Sequence, residues 1–308
     1  MNLNLLQSRI LQPISVLLTL MGLFILFSAF ASFLGAGIIK LVSGVSFDNL
    51  ASVEYWEKTP YGRWYMLSMQ AISALGSFIG TFWCYRTLFE AQNKPPINTH
   101  NEKFISYFLI IFLVICLMPF SAFISELNQK IDFGVWIGVE FGVWVKQMEL
   151  KLELLTKFLI NFDSFPQFLF GILVIGVLPG IGEELLFRGI LQRKLNETIN
   201  FHVAIWLSAA LFSAIHLQFL GFFPRMILGA MFGYLYYFSG DLKTAIFAHF
   251  VNNSFTLLLA YLYQTNIIKI NIVEKLNISP FFAFIFLFIS LSMFVFIYQK
   301  IWKKKMIN

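Results

Sequence analysis

Charge is scarce in this 308-residue chain: 12% of its residues are Asp, Glu, Lys or Arg, while 58% are hydrophobic and the mean hydropathy is +0.76. With repeated apolar runs near the length needed to cross a bilayer, that balance identifies a membrane protein. Cysteine is nearly absent. Cys84 and Cys116 both fall inside candidate spans, which excludes a disulfide framework and leaves the redox compartment open. The first apolar run, Ile14 to Ile39, is too long for a cleavable leader and lacks a small-residue cleavage pattern, so a retained span is expected. The net charge of +6 is modest and sits largely in Lys300, Lys303, Lys304 and Lys305 beside the last span. That is a topology signal, and no nucleic-acid partner is expected. The chain shows no internal repeat of the inverted transporter kind. What it has in quantity is phenylalanine, 38 residues of it, which suits lipid-facing surface.

The expected fold class is an all-α polytopic membrane protein with about eight transmembrane helices plus an amphipathic interfacial helix. The spans fall near 14–39, 64–85, 104–124, 168–192, 203–220, 223–238, 244–263 and 280–298. Arg9, Arg86, Lys94, Lys103, Arg193, Lys194, Lys243 and the lysine tail collect on one side, against Lys58, Arg63, Arg225, Lys269 and Lys275 on the other. This bias favours both termini inside, in a bacterial inner membrane. The chain divides into a three-helix membrane region (1–125), an amphipathic segment (126–165), a helical core (166–265) and a last span with its basic tail (266–308). In the amphipathic segment Val145, Met148, Leu152, Leu155 and Leu159 form one helical stripe. A helix lying at the membrane surface is the natural reading, as an anchor or as a gate for substrate. In span 6, Gly229 and Gly233 have the GxxxG spacing that permits close helix approach.

The costly groups are concentrated. Glu183 and Glu184 interrupt an apolar stretch from Phe168 to Leu191, and Arg188 follows one turn later. Acids at that depth are functional candidates by default. The two carboxylates point about 100° apart on a helix, so one can face a cavity while the other turns toward Arg188. Of four histidines, His100 and His202 lie in a polar loop and at a span edge, whereas His216 and His249 lie within apolar spans. Phe212 and His216 are four apart, as are His249 and Asn253, which on a helix places each pair on one face. Glu183 lies about 22 Å from the outer end of its span and His249 about 9 Å inside its own. His216 comes out deeper, so either span 5 begins well outside the membrane, which is the expectation, or its helix is tilted or broken.

Each of these residues alone has a structural reading: a satisfied core histidine, an internal ion pair, or an asparagine bridging two helices. Together they offer hydrolytic chemistry. A buried glutamate can take a proton from water, and imidazoles or an amide can donate to an oxyanion or, for imidazole, bind a divalent metal. No serine stands beside a histidine in a nucleophile elbow, no aspartate pair lies within the spans, and the zinc motif HExxH is absent.

EExxxR at Glu183–Arg188, FxxxH at Phe212–His216 and HxxxN at His249–Asn253 resemble the three signature motifs of the CPBP family, in family order. This family comprises membrane-embedded CAAX prenyl endopeptidases and bacteriocin-processing or immunity proteins, and is also called ABI. The resemblance covers about 168–263. It implies a helical core with a polar cavity toward the cytoplasmic side and proteolysis near the membrane interface. By motif position Glu183 would be the general base, His216 would hold the water or a metal, and His249 and Asn253 would stabilise the oxyanion. Glu184, Arg188 and Phe212 would support them. A zinc ion on Glu183, His216 and His249 and a metal-free glutamate mechanism are both open. The expected activity is endopeptidase cleavage of a membrane-associated protein or peptide. The alternatives are a non-catalytic immunity or scaffold protein, or a proton-coupled transporter using the same groups as a relay.

Overall fold

The computed structural model describes residues 3–91, 102–269 and 278–303. His100, Lys94, Lys275, Lys304 and Lys305 lie outside the described residues. The chain is built from helices alone among the described residues. They are α1 (Leu3–Ser43), α2 (Val53–Glu57), α3 (Gly62–Phe89), α4 (Phe104–Gln129), α5 (Phe133–Trp136), α6 (Val139–Ile160), α7 (Phe165–Asn196), α8 (Phe201–Ala214), α9 (Phe222–Ser239), α10 (Leu242–Gln264) and α11 (Pro280–Trp302). Among the described residues, seven helical segments are long and apolar enough to cross a membrane, and α8 is a shorter apolar helix. The expected all-α membrane architecture is the one observed.

Local chemistry sets the ends of these helices. Ser164 opens α7 by accepting from the Gln167 backbone N–H, with Pro166 in the first turn where its missing N–H costs nothing. Asp241 opens α10 by accepting from Lys243 N. Helices α3 and α7 also contain π-type turns, at Leu75–Gly80 and, in α7, at Ile172–Val177 and Phe187–Gln192. Such turns shift the side-chain register and recur at functional sites. In α7 they bracket the two glutamates.

The fifth expected span is where sequence and structure part. Helix α8 runs only from Phe201 to Ala214, about 21 Å. The chain then turns, passes through a short 3-10 turn at Phe219–Gly221 and returns as α9. The depth of His216 therefore comes from a helix that stops early, with the histidine in the turn beyond it. Leu217 holds a positive φ of 54°, a left-handed conformation that non-glycine residues adopt at a cost of about 1–2 kcal/mol. Side-chain packing on both sides of the turn has to maintain it.

The hairpin of α8 and α9 closes against α7 through the two spaced glycines. Arg188 Nη2 donates to the Gly229 carbonyl at 2.6 Å and Gln192 Nε2 to the Gly233 carbonyl at 3.0 Å. A Cβ on Gly233 would stand 2.6 Å from Gln192 Oε1. The GxxxG spacing thus admits polar side chains to backbone carbonyls as well as helix to helix.

Helix α6 presents its expected stripe inward, with Val145 and Leu159 buried and Met148, Leu152 and Leu155 half-buried. Its end is clamped from two sides. Arg63 of α3 donates to the Phe158 carbonyl at 2.6 Å and to Gln167 Oε1 at 3.1 Å, and pairs with Asp163. Gln264 of α10 donates to the Ile160 carbonyl at 2.7 Å and accepts from Phe162 N at 3.0 Å. Near its middle, Glu149 Oε1 accepts from Leu220 N at 2.8 Å, which ties α6 to the turn that follows His216. Cys84 and Cys116 are both free and half-buried.

Candidate active site

Four elements bring the costly groups to one place: α7, the turn after α8, α9 and α10. Glycine at 182 lets α3 approach the acidic turn, because a Cβ there would lie 2.6 Å from Phe78 Cβ. Glu183 and Glu184 then diverge as helical geometry requires.

Glu184 turns inward and is fully buried, as is Arg188. Arg188 Nη1 reaches Glu184 Oε1 at 3.0 Å, and the guanidinium lies over the Phe212 ring at 4.8 Å. His249 Nδ1 meets the same Glu184 oxygen at 2.9 Å. The Nδ1 proton therefore points at Glu184, which fixes the ring and aims Nε2 at Glu183. Phe232 stacks on the His249 ring at 5.0 Å with an interplanar angle of 17°, and Phe212 meets it edge-on at 5.9 Å.

Glu183 faces the other way. Its Oε2 is buried without a hydrogen-bond partner, and the residue contributes to the wall of a cavity of about 440 Å³. His249 Nε2 lies 3.9 Å from Glu183 Oε2, and His216 Nε2 lies 4.0 Å from Glu183 Oε1. Both separations exceed a direct hydrogen bond and suit one interposed water. His216 is oriented by its own chain: Nδ1 donates to the Phe212 carbonyl at 2.8 Å, leaving Nε2 as an acceptor toward Glu183. Phe212 thus touches both histidines and Arg188.

Asn253 is one turn beyond His249, yet its Nδ2 donates to the Ile175 carbonyl at 3.1 Å and its Oδ1 accepts from Asn252 at 3.1 Å. It holds the first π-type turn of α7. His202 stays apart, exposed and bonded to Tyr234 at 2.8 Å. Sequence reasoning missed three contributors: Phe232 beneath His249, Gln192 of α7 bonded to α9, and Arg225. The Arg225 guanidinium pairs with Gln218 in the turn after His216 and lies within electrostatic reach of Glu183 and Glu149. Its place among the cations of the outer short loops gave no sign of that connection.

Among the described residues, no set of three or more His, Cys, Asp or Glu side chains is placed to hold a metal ion. Zinc needs its donors about 2.0–2.2 Å from one centre. Glu184 on His249 Nδ1 leaves Nε2 free, as a carboxylate-supported ligand would be, but both Nε2 atoms stand near 4 Å from Glu183, wider than donors sharing one zinc at tetrahedral angles.

Residues 165–255 match the family model described as type II CAAX prenyl endopeptidase Rce1-like. This segment contains α7 through His249 and Asn253 and so holds all three motifs. The chain is also similar to the uncharacterized protein YpbD of Bacillus subtilis (strain 168), with 28% identity over 132 residues. That alignment takes in 38% of this chain and 64% of YpbD, so the chain spans somewhat under two thirds of that relative's length. No solved structure matches.

Proposed function

We propose that the chain is an intramembrane endopeptidase that hydrolyses a peptide bond of a membrane-associated protein or peptide by a glutamate-activated water. The observation that carries this reading is the gap of about 4 Å between Glu183 and the two histidine Nε2 atoms, beside a cavity. A structural ion pair would close that gap. A hydrolytic site needs it open.

In this reading a water sits between Glu183 and His216 Nε2 and donates to both. Glu183 takes one proton as the oxygen bonds to the scissile carbonyl carbon. Negative charge collects on the carbonyl oxygen, toward which His249 Nε2 is aimed. The Glu184 carboxylate on Nδ1 keeps that ring aimed. The C–N bond then breaks and Glu183 passes its proton to the leaving nitrogen. Arg188 offsets the charge of Glu184. Asn253 can serve as a further oxyanion donor once its amide releases the Ile175 carbonyl.

The test compares wild type with Glu183→Gln on a pool of membrane peptides, with and without a chelator. Cleavage by wild type that disappears in the variant supports the reading, and equal cleavage by both overturns it. Chelator sensitivity would replace the metal-free form with a zinc form in which Glu183, His216 and His249 rearrange around the ion.

A further inference from the structure

The cavity against Glu183 is walled largely by helices outside the segment that matches the family. It lies between α1 and α3. Ser28 and Ser32 on α1 face Ser77 and Ser73 on α3: Ser28 Oγ donates to Ser77 Oγ at 2.8 Å, and Ser32 and Ser73 hydroxyls stand 3.5 Å apart. Both pairs keep a spacing of four residues, so they form a two-rung ladder of hydroxyls along one side of the cavity. Gln70 stands one turn beyond Ser73, toward the end of α3 that meets α6, and there Met66, Met69 and Leu155 complete the wall.

The exposure of these groups is informative. Ser32 and Gln70 are exposed, although Gln70 lies about 12 Å along α3 and Ser32 about 16 Å from the end of α1. Among the described residues the Gln70 amide has no hydrogen-bond partner. An unpaired amide facing hydrocarbon is costly, and so is a row of hydroxyls. The opposite face of α1 behaves as a lipid surface should, with Phe30 and Phe33 exposed. Serines of α1 and α3 and the Gln70 amide thus border the cavity among apolar side chains, and a volume near 440 Å³ has room for a column of several waters held by those groups.

We infer that this serine-lined crevice between α1 and α3 is a water-filled passage that supplies the hydrolytic water to Glu183 from the face of the bundle carrying α6. The supply role rests on the endopeptidase reading; the passage itself does not. On the orientation expected from the charge bias this is the outer face, the side opposite to that implied by the family resemblance. Labelling from each side of the membrane reports which holds.

The experiment uses the full chain in proteoliposomes, with Cys84 and Cys116 replaced by Ala. Single cysteines are placed by Ser32→Cys, Gln70→Cys and Ser73→Cys in the crevice and by Phe33→Cys on the lipid face. Each is treated with a charged, membrane-impermeant methanethiosulfonate, which reacts with the hydrated thiolate. The crevice cysteines should react at least tenfold faster than Phe33→Cys. Rates equal to that of Phe33→Cys, in variants that elute as folded protein, overturn the passage. On any peptide that wild type cleaves, full modification of Ser73→Cys should lower kcat with KM little changed, and unaltered kcat overturns the supply role. If wild type cleaves no peptide, the endopeptidase reading fails, while the labelling still decides the passage.

Discussion

His249 and Arg188 share one oxygen: Nδ1 of the histidine lies 2.9 Å and Nη1 of the arginine 3.0 Å from Glu184 Oε1. Both partners come to a carboxylate with no exposure to solvent, so its charge depends on them. Removing one partner of a buried pair costs about 3–5 kcal/mol because the other charge is stranded. Arg188→Met should therefore lower thermal stability in detergent by that order. The double variant Arg188→Met/Glu184→Gln should recover most of it. A double variant as unstable as the single one would show that Arg188 acts through its Gly229 contact instead.

Glu183 should behave in the opposite way. Its Oε2 is buried and unbonded, so neutralising it removes a desolvated charge without breaking a pair. Glu183→Gln is expected to unfold at or above the wild-type temperature while cleavage falls by about 10²–10⁴-fold, the usual contribution of a general base. A large loss of stability would mean that the acid serves the fold.

The two histidines should separate in the same assays. His216 lies in a turn and bonds only its own chain through Nδ1, so His216→Ala should abolish cleavage at little cost in stability. His249 is buried, stacked on Phe232 and bonded to Glu184, so His249→Ala should lose both. Equal unfolding temperatures for the two variants would contradict this division.

Chelators should leave the peptidase rate unchanged. The separations near 4 Å between Glu183 and the Nε2 atoms suit a water better than a shared ion. Activity lost to a chelator and restored by zinc alone would require the site to contract around the metal.

Release of the α6 clamp should be visible by proteolysis. Arg63 holds the last turn of α6 through Phe158 and Asp163. In Arg63→Ala, trypsin should cut after Lys157 or Lys151 faster than in wild type, with α7 intact. Unchanged digestion would mean that Gln264 alone secures the junction.

Much of the site was legible because charge in an apolar run is conspicuous. Glu183, Glu184 and Arg188 announce themselves by cost, and their spacing on a helix gives their divergence. The serine ladder was not legible. Ser28, Ser32, Ser73 and Ser77 are unremarkable in sequence, and spans 1 and 2 offered nothing that marked them as neighbours of Glu183. The exposed Gln70 was passed over for the same reason.

By itself the sequence determined the membrane class, the long helices, the inward stripe of α6 and the chemistry available to three motifs, because hydropathy and helical periodicity are local properties of consecutive residues. Tertiary structure alone decided that α8 stops at Ala214 and leaves His216 in a turn. It also decided that one Glu184 oxygen serves both His249 and Arg188, that Asn253 is committed to Ile175, and that two hydroxylated helices border the base. Those outcomes depend on distances between segments far apart in the chain. They are set by close packing across glycines and by the need of each buried polar group for a partner, which no single segment can specify.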